Sequence, residues 1–156
     1  MVLAGTLSVS ARSDVPPQFP QIINFADSLQ VDAQTSAQSR LPIIIFVSQH
    51  GCKFCHLLRE RVLHPMIEAG ALQGRAILRE ISLDDGFRFD DFDGRNVSGS
   101  EFANRYQTAV TPTLLFLDGR GREVSKRMVG INNVEYYGFY LEKAIGTATT
   151  AIATDL

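Results

Sequence analysis

The two cysteines of this chain, in Cys52-Lys53-Phe54-Cys55, stand at the seam between two different hydrophobic patterns. Before them, Leu41-Pro42-Ile43-Ile44-Ile45-Phe46-Val47 is an apolar, β-branched run with the signature of a buried strand. After them, the stretch from Phe54 to Ala69 reads as a helix. A strand that hands a CxxC pair to a helix start reads as a thiol–disulfide redox site by position as well as by spelling.

The bulk properties narrow the alternatives. A chain of 156 residues is one domain, long enough to bury a core without staples. Two cysteines are too few for a disulfide scaffold, so the pair is chemical rather than structural. A formal net charge of −2 leaves no basic footprint, which argues against a nucleic-acid partner. No apolar run approaches the roughly 18–20 residues that span a bilayer. At the N-terminus, Val2 to Ala11 resembles the end of an export signal, with Val9-Ser10-Ala11 an acceptable cleavage site. This points to a periplasmic or otherwise exported protein, with a cytoplasmic one as the alternative.

Along the chain, residues 1–20 read as a mobile arm carrying Pro16, Pro17 and Pro20. Residues 21–146 form the domain and 147–156 a frayed tail. An opening helix is expected over Ile22–Arg40, a strand over 42–48, and a helix from about Cys52 that kinks or restarts at His64-Pro65. Ala76–Leu83 reads as a second strand. Residues 84–99 read as an acidic loop whose phenylalanines, Phe87, Phe89 and Phe92, pack down. A short helix follows near Ser100–Tyr106, then strands at Thr113–Leu117 and Glu123–Val129 around the Asp118-Gly119 turn. The last helix is expected from about Asn133 to Ile145, capped by Asn132 and closed by Gly146. This order predicts an α/β fold, a central mixed sheet of about four to five strands with helices on both faces.

Exchange requires a thiolate, and the first turn of a helix offers unpaired N–H groups and the positive end of the macrodipole. Lys53, and His56 when protonated, add to the same field. Cys52 is therefore the exposed nucleophile and Cys55, one turn on and facing inward, the resolving thiol.

A second motif, Thr111-Pro112, stands immediately before Thr113-Leu114-Leu115-Phe116. With the CxxC after a buried strand, the Asp118-Gly119 turn and Val129-Gly130 before a final amphipathic helix, residues 41–146 resemble the thioredoxin family. The resemblance implies a thioredoxin-like fold, a cis peptide at Pro112 beside the cysteines, and pairing of the Thr111 backbone with the substrate. Three features depart from the family pattern. Gly51 replaces the usual tryptophan, Lys53-Phe54 replaces Gly-Pro, and Phe46 stands where a buried aspartate is usual. Glu80 on the second strand is the candidate substitute that would activate Cys55; otherwise it is a solvent-facing strand residue. Cys52-Lys53-Phe54-Cys55-His56 with Thr111-Pro112 is more similar to the exported bacterial branch that includes SoxW-type periplasmic thioredoxins.

Two other classes compete. Cys52-Lys53-Phe54-Cys55-His56 also spells the c-type haem attachment motif, although the surrounding strands are foreign to a largely helical cytochrome. His50, His56 and His64 bracket the cysteines, so a copper or zinc module is conceivable from spacing. The preferred expectation is a monomeric protein-disulfide reductase with no bound organic cofactor. Its partners would be protein disulfides and a membrane or soluble thiol donor.

Overall fold

All six residues of β1, Ile43–Ser48, are buried, because both of its faces are covered. The structure, a computed structural model, describes residues 23–155. The arm at 1–20 and its export-signal reading lie outside the described residues. β1 is central to a four-stranded sheet ordered β2-β1-β5-β6. It pairs in parallel with β2, Ile77–Ser82, and antiparallel with β5, Thr113–Leu117. β6, Glu123–Val129, pairs antiparallel with β5 through the turn at Asp118. The mixed sheet expected from the sequence is therefore present.

Strand periodicity sorts β1 between two cores. Ile44 and Phe46 enter a cluster with Cys55, Leu58, Leu114 and Leu141. Ile43, Ile45 and Val47 enter one with Leu29, Phe102 and Leu115. Helices thus cover both faces. α2 (Lys53–Leu58) and α5 (Val134–Thr154) lie on the first, α1 (Leu29–Ser39) and α4 (Gly99–Arg105) on the second.

The helix after the cysteines does restart where proline requires it. α2 passes into a π-helical turn, Arg59–Leu63, and then into α3, His64–Glu68, with Pro65 in its first turn. Pro65 has no N–H to continue an α-helical ladder, and the His64 N–H bonds the Arg59 carbonyl five residues back.

Three expectations need correction. The opening helix is shorter than Ile22–Arg40, because residues 24–26 are extended along the outer edge of β2 and Asp27 and Ser28 continue beside Asp90. Ala26 N–H donates to Glu80 O at 2.8 Å and Glu80 N–H to Asn24 O at 2.9 Å. Ser28 then caps α1 through its side chain. Residues 84–99 are not simply a loop, since β3 (Arg88–Asp90) and β4 (Asn96–Ser98) form a small hairpin. Its Phe89 is buried, and Phe25, Phe87, Phe89, Phe102 and Tyr106 form a chain of ring contacts with centroids 4.5–5.8 Å apart. Finally, α5 is capped by Asn133 rather than Asn132, and it runs through Gly146 to Thr154 instead of fraying after 147. Leu141, Ile145 and Ala148 keep one face buried across the glycine.

Candidate active site

Cys52 is the N-cap of α2, and its sulfur accepts the Cys55 N–H at 3.1 Å. The two cysteines are joined as a disulfide, with Cα atoms 5.2 Å apart. Their environments differ sharply. Cys52 is partly exposed, whereas Cys55 is 1% exposed within the core beneath α2. An incoming group can therefore reach one sulfur and not the other. Gly51, just before the pair, has φ +70°, a conformation that a side chain at this position would resist. That accounts locally for a glycine at this point of the chain.

The second motif meets the first in space. The Thr111–Pro112 peptide is cis, and Thr111 Oγ1 donates toward Cys52 Sγ at 3.5 Å. Pro112 O accepts the Gly130 N–H at 2.8 Å, which ties this loop to the end of β6. Around the disulfide, Phe54, Val110 and Val129 present exposed apolar side chains. Lys53 and His56 are exposed on the first turn of α2.

Glu80 is not a solvent-facing strand residue. It is 3% exposed, on the same face of β2 as Leu78, which packs in the core containing Cys55. Its carboxylate accepts Ser48 Oγ and Arg59 Nη2, each at 2.5 Å. Arg59 lies one turn beyond Cys55, with its guanidinium 5.3 Å from the centre of the Phe46 ring. Phe46 and Glu80 are register partners on adjacent strands. A buried carboxylate is thus present one strand away from the position where the family pattern would have put it.

Comparison with known proteins identifies the family and the fold. The model of the thioredoxin-like domain family matches residues 29–145, most of the chain. This chain belongs to the thioredoxin-like domain family. Among solved structures, it is similar to a thioredoxin from Thermus thermophilus, with TM-score 0.58 and 19% identity, covering 85% of this chain and 94% of that one. A DsbH oxidoreductase gives TM-score 0.57 at 15% identity, covering 87% and 95%. The C-terminal domain of Neisseria meningitidis DsbD in its oxidised form gives 0.52 at 13%, covering 78% and 98%. At such identities these likenesses describe the fold. No curated protein matches the chain in sequence.

Within this thioredoxin-like domain the histidines do not converge. His50 and His56 are exposed, and His64 lies 3.7 Å from Glu60 on its own helix. Among the described residues no group of three or more His, Cys, Asp and Glu side chains is arranged to hold a metal ion. The strands that argued against a cytochrome reading are the central sheet itself.

Sequence reasoning missed three polar partners of the site. Arg59 and Ser48 hold Glu80, and a period-two count along β1 could have placed Ser48 on the Phe46 face. Asp84 accepts the His50 backbone N–H at 2.9 and 3.0 Å and Ser82 Oγ at 2.5 Å, pinning the loop that leads into Cys52. The Ser82 hydroxyl first, and the His50 N–H second, hold the Asp84 carboxyl below its ordinary titration range.

Proposed function

We propose that this chain is a thiol–disulfide oxidoreductase that reduces protein disulfides through Cys52 and Cys55. The observation that carries the reading is the asymmetry of the pair. One sulfur is open at a helix N-terminus beside Thr111-Pro112, and the other is sealed in the core behind it.

The cycle starts when a dithiol donor delivers two electrons and two protons to the Cys52–Cys55 disulfide. Cys52, as the thiolate, attacks one sulfur of the substrate disulfide; that bond breaks and the other substrate sulfur leaves as a thiolate. Unpaired N–H groups at the start of α2 and the Thr111 hydroxyl favour the anionic sulfur. Lys53 and His56 add positive potential when charged. Cys55 then loses its proton and attacks Cys52 Sγ, which closes the internal disulfide and expels the second substrate thiolate. In this reading Glu80, buried on the strand face that Leu78 turns toward the Cys55 core, assists that deprotonation. The apolar rim of Phe54 and Val110 suits an extended polypeptide substrate. A periplasmic setting, a SoxW-like place in the exported branch and a membrane or soluble thiol donor complete the reading.

The test is reduction of insulin-type disulfides by the purified chain. Cys52→Ser should abolish turnover, and Cys55→Ser should accumulate mixed disulfides with substrate. Turnover by the Cys52→Ser protein at the wild-type rate refutes the assignment.

A further inference from the structure

A groove lies between β6 and α5, and one end of it adjoins the loop that carries Pro112. Its volume is about 890 Å³, and its lining includes Val129 and Gly130 at the end of β6. Gly130 is the residue whose N–H bonds Pro112 O, so this end of the groove is one hydrogen bond away from the loop beside Cys52. From there it runs along Tyr136, Tyr140 and Lys143, which recur at helical spacing on one face of α5.

Three features define what fits. Tyr136 and Tyr140 are 60% and 57% exposed, rings that core packing alone would have buried. Phe139, outside the groove, meets Tyr140 edge to face at 5.5 Å. Cations line the groove, and no aspartate or glutamate does among the described lining residues. That excess is local, since the whole chain carries a net charge of −2. The Arg127 guanidinium is engaged by Glu123 and by Tyr106 O at 2.7 Å, which leaves Lys126 and Lys143 to face a ligand. Finally, β6 is the terminal strand of the sheet, so its outer backbone edge has no strand neighbour among the described residues.

The geometry points to a docking groove for an extended, acidic polypeptide segment of the protein that exchanges disulfides with Cys52. The inference rests on the redox reading above and deepens it by naming the substrate's chemistry. Backbone groups on the rim of β6 receive an extended chain, and carboxylates further along the segment that carries the substrate disulfide meet Lys126 and Lys143. Apolar or aromatic side chains of the same segment lie on Tyr136 and Tyr140. Charge selection of this kind acts mainly on encounter and register, and it weakens with salt.

Two cyclic-disulfide peptide series test it, identical except that the segments flanking the ring carry glutamates in one and glutamines in the other. A small aromatic disulfide, which reaches Cys52 without entering the groove, serves as the control for fold and chemistry. The glutamate peptides should be reduced with kcat/KM about tenfold higher at low salt, as expected for two exposed charge pairs. That preference should collapse at 0.5 M salt, a value at which exposed charges are screened over about 4–5 Å. It should also disappear in the Lys126→Glu/Lys143→Glu protein, with turnover of the small disulfide retained. Equal rates for the two series, or a glutamate preference that survives the double charge reversal, overturn the inference while leaving the redox reading intact. Failure of the wild-type protein to reduce even the small disulfide overturns the redox reading, and the docking groove with it.

Discussion

Arg59 reaches the buried carboxylate of Glu80, Nη2 to Oε1 at 2.5 Å, one helical turn beyond Cys55 and under the same core. The pair links the helix that carries the resolving thiol to the strand beside β1. A carboxylate this buried is tolerated because a guanidinium and the Ser48 hydroxyl satisfy it.

Glu80→Gln keeps the shape of the side chain and removes its charge, leaving Arg59 without a counter-ion. We expect a loss of about 2 kcal/mol in urea unfolding, smaller than for a fully buried pair because Arg59 retains some solvent contact. If Glu80 also receives the Cys55 proton, the pH–rate profile for disulfide reduction shifts in the same variant. A destabilised protein with an unchanged profile assigns Glu80 to structure alone.

Asp84 makes the loop before Cys52 sensitive to acid. Its carboxyl titrates below the ordinary value of 3.8 when folded, through the Ser82 hydroxyl and then the His50 N–H. A depressed pKa contributes stability that is present above 3.8 and lost as pH falls through the lower, folded value. Asp84→Asn should remove this part of the acid limb in a plot of Tm against pH. At pH 6 it should lower Tm by about 2–4 °C, corresponding to roughly 1 kcal/mol of lost hydrogen bonding. An acid limb identical to the wild type's would place the sensitivity in other carboxylates.

Two helical glycines should respond in opposite directions to the same change. A Cβ on Gly99, the first residue of α4, would collide with the Ser82 carbonyl, whereas one on Gly146 meets nothing within 4 Å. Gly146→Ala should raise stability by about 0.5–1 kcal/mol through helix propensity. Gly99→Ala should lower it by about 1–3 kcal/mol, since backbone must move to admit the methyl group. Urea unfolding of both variants checks the pair.

The elements legible in the sequence were those with a local signature. β5 and β6 have the bounds that the apolar run and the Asp118-Gly119 turn imply. What escaped depended on distant partners. Nothing in residues 24–28 announces an extended edge, because their hydrogen bonds come from Asn24 and Ala26 meeting Glu80 across more than fifty positions. β3 and β4 have three residues and a single apolar side chain each, too short to establish period two, and the turn between them uses Gly94 at φ +77°. Gly146 looked like a helix end, yet Ala148 continues the buried face set by Leu141 and Ile145. Adjacent asparagines left the cap ambiguous by one residue. At the site, the cysteines and Thr111-Pro112 were readable as motifs. Burial of Glu80 was not, since it required Arg59 to arrive from another element.

The segment at 24–28 also limits how copies of this domain can associate. By bonding Glu80 it covers the middle of the β2 border of the central sheet, and among the described residues β6 is the border with no such cover. Strand-to-strand polymerisation needs two open borders per molecule so that each copy can add the next. Among the described residues β6 is therefore the regular border through which a second copy pairs most readily, and the short, irregular segment on the opposite side is a poor template for continuing the sheet.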